Sequence, residues 1–113
     1  MRKSEIHFEV SLDENNVPES IQWSATDNPN EGIEETKAVL VSVWDHYHKS
    51  LLALPLWTKE MEVLEMKRFL IEIMGTVANT AETATQDMEF SGKVNQLCKE
   101  LTLRLKEEVA SSK

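Results

Sequence analysis

Residues 5–12 read EIHFEVSL and alternate between polar and apolar side chains. The apolar members are Ile6, Phe8, Val10 and Leu12. A period of two residues is typical of a half-buried strand. Turn-forming residues at 13–16 and a second alternation over residues 21–26 then predict a hairpin whose loop is longer than two residues.

The sequence Asn-Pro-Asn-Glu at residues 28–31 is typical of a helix start. Asn28 would cap the helix, Pro29 would take its first position, and Glu31 would lie three residues beyond the cap. At 100° per residue, one side of this helix is apolar and carries Ile33, Leu40, Val43, Trp44 and Tyr47. We therefore predict an amphipathic helix that ends near His48.

Residues 51–57 (LLALPLW) are short, apolar and bounded by polar residues, which favours a third strand. Pro55 has no N–H to donate, so this strand is expected at a sheet edge. Alternation gives it two apolar faces, one with Leu52, Leu54 and Leu56 and the other with Leu51, Ala53 and Trp57. No obvious element covers the second face, and its three residues are therefore candidates for a partner contact.

Two helices are predicted in the C-terminal half. The first begins between Thr58 and Glu62 and runs to about Gln86, and the second covers roughly residues 88–110. The first helix also carries three apolar residues at intervals of seven, which form a line on the side away from its main apolar stripe: Leu64, Ile71 and Ala78. These residues either pack on the other helices or form a subunit contact, and the sequence leaves both open.

The predicted fold class is α+β, with one domain over residues 1–113. Its order is strand, strand, helix, strand, helix, helix. A three-stranded, largely antiparallel sheet is covered on one face by helices, and the last two helices form an antiparallel pair. Trp23 and Trp44 lie on apolar stripes and are predicted to fill the core. For Trp57 the sequence leaves both a core position and an interface position open.

Charge and hydropathy exclude several classes. The 113 residues carry a formal charge of -8, and nine acids against two bases lie within residues 1–36. Such a chain is repelled by phosphate backbones and anionic membranes, so no nucleic-acid partner is expected. No apolar run reaches the roughly 20 residues of a spanning helix, so membrane insertion is not expected. Together with the single Cys98, this favours a cytoplasmic protein.

The search for chemistry gives weak candidates. Asp45, His46 and His48 suggest a metal or small-molecule site, but two histidines spaced by two point apart on a helix. Asp13 begins a stretch like a calcium loop that lacks the required glycine and final glutamate, which favours a plain turn. The sequence therefore predicts no catalytic residue, no metal and no cofactor, and an enzyme using the first three residues is the least favoured hypothesis.

Several segments together resemble the gliding-motility-associated protein GldC family: residues 4–15, 17–19, 37–45, 56–61 and 65–67, with Trp23. The resemblance implies a soluble, non-enzymatic accessory protein of the gliding apparatus of Bacteroidetes-type bacteria, with protein partners from that machinery. The segment Trp57-Thr58-Lys59 is similar to a family signature that serves either the fold or a partner, and Thr58 is a candidate cap for the long helix.

Two further functional readings accompany this one. The chain could act as a small chaperone or adaptor that binds extended protein segments at the sheet edge around Leu51, Ala53 and Trp57. A second copy of the chain is a further candidate partner. A basic partner would dock on the acidic hairpin with salt-sensitive affinity.

Overall fold

The computed structural model describes residues 2–29 and 32–112. Within them lie five strands and two helices: β1 (Ile6–Leu12), β2 (Pro18–Ala25), β3 (Glu34–Thr36), β4 (Ala38–Asp45), β5 (Ser50–Trp57), α1 (Val63–Thr85) and α2 (Met88–Ser111). The chain divides into two compact units, Met1–Met61 and Glu62–Lys113. The first holds the strands and the second the helices, which confirms the α+β class.

The predicted first hairpin is confirmed. Strands β1 and β2 pair antiparallel, and β3 adds to β2 to give a three-stranded antiparallel sheet in the order β1-β2-β3. The loop is a tight turn in which the Asp13 carboxylate accepts the N–H groups of Asn15 at 2.8 Å and Val17 at 3.0 Å. Asn16 adopts the left-handed conformation there, which asparagine tolerates.

The predicted helix from Asn28 to His48 is wrong, because this stretch contains β3 and β4. Glu31, expected beyond the helix cap, lies outside the described residues. A nearly continuous apolar run fits a helical and a strand period equally well. The valines at every second position of β4 favour a strand over a helix, since β-branched side chains pack well on a pleated surface.

The predicted third strand is confirmed as β5, but its neighbour is β4. These strands form a separate two-stranded antiparallel sheet in continuous register from Ala38↔Trp57 to Asp45↔Ser50. The expected single three-stranded sheet is therefore replaced by a three-stranded and a two-stranded sheet. The predicted cover of one sheet face by helices and the single domain over residues 1–113 stay predictions.

The predicted antiparallel helix pair is confirmed. Lys67, near the start of α1, donates to Glu108, near the end of α2, at 2.7 Å, and Cys98 Sγ lies 3.8 Å from the carbonyl oxygen of Ile71. Asp87 caps α2 by accepting the Phe90 N–H at 3.0 Å. The Lys67 ammonium, with a smaller contribution from Arg104, holds the pKa of Glu108 below its usual value.

Candidate interaction surface

The hairpin β4–β5, residues 38–57, is the candidate surface, and we call it the ribbon. Directly opposite residues of an antiparallel pair share a face. One face carries aliphatic side chains, namely Val39, Val41, Val43, Leu52, Leu54 and Leu56. The other, the tryptophan face, carries Ala38, Leu40, Ser42, Trp44, Leu51, Ala53, Pro55 and Trp57. Both faces of the ribbon are therefore almost wholly apolar.

The tryptophan face is exposed at every residue except Ala38, which is buried. Trp44 is 66% exposed, Leu51 65% and Trp57 52%. At roughly 250 Å² for a whole tryptophan side chain, the two indoles alone present about 300 Å² of surface. Leu40, Leu51, Ala53 and Pro55 are exposed between them, so the face as a whole reaches the size of the largest contiguous apolar patch on many monomers, and larger patches mark interaction sites. The two indoles lie about 20 Å apart along the ribbon, because Trp57 is opposite Ala38, six residues before Trp44 on β4.

The ribbon is electrically neutral inside an acidic unit. Residues 38–57 contain one acid, Asp45, and one base, Lys49. The rest of the first unit, residues 1–37 and 58–61, contains ten acids and four bases, a net charge of -6. The acidic charge therefore surrounds the apolar surface in the sequence without interrupting it.

The turn that closes the ribbon uses the residues considered for chemistry. The Asp45 carboxylate accepts the N–H of Tyr47 at 3.0 Å and of His48 at 3.3 Å, and its second oxygen lies 2.7 Å from His48 Nδ1. The His48 ring and then the turn N–H groups hold the pKa of Asp45 below its usual value. His46 stacks edge-on against Tyr47 instead. Asp45 therefore organises a turn and not the end of a helix.

The other end of the ribbon is fixed by the Trp57-Thr58-Lys59 segment. Thr58 is buried, and its N–H and hydroxyl donate to the Lys37 carbonyl at 2.8 and 3.3 Å. Thr58 therefore extends the β4–β5 ladder and does not cap α1, whose N-cap is Glu62. Of the three signature-like residues, Trp57 alone presents a large apolar surface.

Lys59 forms an ion pair with Asp13 in the β1–β2 turn. This pairing, followed by the N–H groups of the turn, lowers the pKa of Asp13 to about 2. The same pair raises the pKa of Lys59. The segment that follows the ribbon is thereby tied to the first hairpin of the same unit.

The second predicted set of contact residues lies on α1. Leu64 and Ile71 are half-buried and Ala78 is fully buried. Ile71 lines a groove of about 340 Å³ between the helices, with Leu70, Met74 and Leu105 among the other lining residues. Ile71 therefore lies within the α1–α2 contact. Ala78 has no exposed surface with which to contact a partner.

The sequence interpretation missed Trp44 and Leu40 as surface residues. Trp44 was expected in the core because it matched the apolar stripe of a helix, and it lies two-thirds exposed on β4 opposite Leu51. The valines at positions 39, 41 and 43 were the available signal, since they predict a strand with Leu40 and Trp44 on its other face.

No three His, Cys, Asp or Glu side chains stand close enough to hold one metal ion among residues 2–29 and 32–112. Neither described helix combines the length and apolarity that crossing a membrane requires.

Fold and surface together define a small α+β protein with an exposed apolar β-ribbon. The family model described as gliding motility-associated protein GldC-like matches residues 18–107, which is most of the chain and includes the whole ribbon. The chain therefore belongs to the GldC-like family. No curated protein and no solved structure matches it.

Proposed function

We propose that this protein is a non-enzymatic accessory component of the bacterial gliding apparatus and that it binds a protein partner through the tryptophan face of the ribbon. Membership of the GldC-like family supports the process. The observation that carries the binding role is the exposure of Trp44, Leu51 and Trp57 on one neutral face. Tryptophan is enriched among the residues that dominate binding energies, and the contacts that surround such residues in an interface exclude water from them.

The process is tested by deleting the gene from a gliding bacterium and measuring cell spreading. We expect spreading to be lost and to return when the wild-type gene is supplied. Undiminished spreading of the deletion strain would contradict the proposed process, whatever the ribbon binds.

The surface is tested by affinity purification from the same cells with wild type, Trp57→Ala and Leu103→Ala. Leu103 is the matched control, because its 61% exposed side chain lies on α2, in the other unit. We expect Trp57→Ala to lose proteins that wild type and Leu103→Ala both retain, with little change in thermal stability. Loss of folded structure in Trp57→Ala would show instead that this indole belongs to the core.

A chaperone or adaptor for extended segments is the second candidate function. It is favoured by β4, which pairs with β5 alone among the described strands and so has a second edge for an added strand. An adaptor would bind unfolded client segments of varied sequence, whereas a component of the apparatus would retain a fixed partner set. Comparing the retained proteins under two growth conditions distinguishes the two roles.

A further inference from the structure

The backbone hydrogen bonds of the ribbon show which β4 residues face away from β5. The Lys37 carbonyl accepts the Thr58 N–H at 2.8 Å, and the Asp45 carbonyl accepts the Lys49 N–H at 2.9 Å. Backbone groups alternate in direction along a strand, so the odd-numbered residues of β4 face β5. The N–H and C=O groups of Leu40, Ser42 and Trp44 therefore face the other edge.

That edge lacks the features that normally prevent strands from pairing between molecules. Exposed edges are protected by charges, prolines or short length. Strand β3 has three residues, two of them glutamates, and Pro55 faces the outer edge of β5 because its partner Leu40 faces away from the ladder. Residues 38–44 of β4 contain no charge and no proline. Such an edge is a ready site for pairing with a further strand.

We propose that the occupant is a second copy of this chain, paired antiparallel through β4 about a two-fold axis at Val41. When the two-fold axis is normal to the sheet, even-numbered residues of one copy lie opposite even-numbered residues of the other, and odd opposite odd. Candidate registers therefore differ by steps of two residues. With Val41 on the axis, Leu40 pairs with Ser42 of the second copy and Ala38 with Trp44 of the second copy. All outward-facing groups of residues 38–44 then meet, giving about eight hydrogen bonds, two for each of four pairs. In the two end pairs the Ala38 carbonyl, which accepts the Thr36 hydroxyl at 3.2 Å in the single chain, takes the Trp44 N–H of the second copy in its place.

Charge and volume select this register over its neighbours. It places Asp45 opposite Lys37 of the second copy at both ends, and each bulky Trp44 opposite the small Ala38. Moving the axis to Leu40 would place Asp45 opposite Glu35, and like charges directly opposite are destabilising. Moving it to Ser42 would leave Asp45 opposite Val39. The neutral ribbon also lets two acidic chains meet without repulsion across the contact.

The paired ribbons would form a four-stranded sheet in the order β5-β4-β4-β5. The two-fold axis keeps both tryptophan faces on the same side, so four indoles would share one surface. The pairing is independent of the proposed partner, because it uses the edge of β4 and leaves the tryptophan face free.

Disulfide cross-linking tests the register in a Cys98→Ser background. Val41→Cys places two thiols across a non-hydrogen-bonded pair with Cα atoms about 4.5 Å apart, within the range of a disulfide. Val43→Cys is the matched control, since its two copies would lie four residues, or about 13 Å, apart along the strands. We expect mild oxidation to convert Val41→Cys to a covalent dimer and to leave Val43→Cys without a covalent link between its copies. Equal cross-linking of both variants would overturn the register.

Light scattering tests the dimer itself. We expect twice the chain mass for wild type and for Ala53→Pro, and the chain mass for Ser42→Pro. Ser42 and Ala53 are directly opposite each other, and each substitution removes one outward N–H, from the β4 edge or the β5 edge. A monomeric wild type across the concentration series, with or without an extended client peptide bound at β4, would overturn the proposal. The cross-linking pair decides the matter if Ser42→Pro fails to fold.

Discussion

The first unit contains two β-hairpins of similar length that differ in what their side chains face. β1–β2 alternates polar and apolar residues, carries four acids and no Lys or Arg over residues 6–25, and gains a third strand. β4–β5 is neutral, apolar on both faces and has no third strand among the described residues. A two-stranded ribbon is at best marginally stable alone in water. The first hairpin is thus suited to a solvated sheet, and the second to a surface that something else covers.

The turns that close the two hairpins are built alike. Each begins with an aspartate whose carboxylate accepts two turn N–H groups, and each ends near a residue with positive φ, Asn16 at 62° and Lys49 at 52°. The turns therefore do not explain the difference in exposure. The difference in exposure comes from the side chains of the strands.

The largest expected effect is on the first hairpin. Ile21, at the centre of β2, is fully buried, and Ile21→Ala should lower the free energy of unfolding by about 2–5 kcal/mol through lost burial and a cavity. Leu54→Ala on the ribbon, where the side chain is 56% exposed, should cost less than about 1 kcal/mol. All three tryptophans lie in this unit, so urea unfolding followed by their fluorescence measures it. A larger cost at Leu54 would contradict the comparison.

A smaller effect is expected at the turns. A lysine in the left-handed conformation is strained, whereas glycine is not and asparagine tolerates it. Lys49→Gly should therefore stabilise the unit by about 0.5–1 kcal/mol, and Asn16→Gly by less. Lys49→Ala controls for the lost charge and should give no gain. A gain from Lys49→Ala equal to that from Lys49→Gly would show that charge and not backbone strain is responsible.

The smallest effect concerns the ion pair between Asp13 in the first hairpin and Lys59, two residues after the ribbon. Lys59, together with the N–H groups of the turn, lowers the pKa of Asp13 from 3.8 to about 2, so the contacts of this carboxylate stabilise the folded unit above the ordinary pKa, and that contribution is lost as the pH falls through about 2. Lys59→Met should move the acid-unfolding midpoint to higher pH. Lys49→Met removes a positive charge elsewhere in the unit and should shift it less. Equal shifts would assign the effect to net charge.

Much of the fold could be predicted from side-chain periodicity. The alternation over residues 5–12, the edge proline at position 55 and the helical stripes each correspond to an observed element. The failure came at residues 38–44, where almost every side chain is apolar and the period is ambiguous. The helix-start pattern at Asn28 and Pro29 favours the helical period for the residues that follow. Asn and Pro are also typical turn residues, so this pattern does not by itself predict a helix.

The candidate surface was half predictable for the same reason. Leu51, Ala53 and Trp57 were assigned to one face of β5, and the structure places all three there. Trp44 belongs to the same face, but only the pairing of β4 with β5 brings it beside Leu51. Pairing between strands depends on register, which a single sequence pattern specifies poorly when both faces are apolar.

The most direct test of the account compares cell spreading in a deletion strain supplied with Leu51→Arg or Leu103→Arg. Both leucines are exposed to a similar extent, 65% and 61%, but only Leu51 lies on the tryptophan face. With equal protein levels in the cell, the account predicts that Leu103→Arg restores spreading and that Leu51→Arg does not. Restored spreading with Leu51→Arg would contradict the claim that this face of the ribbon carries the function.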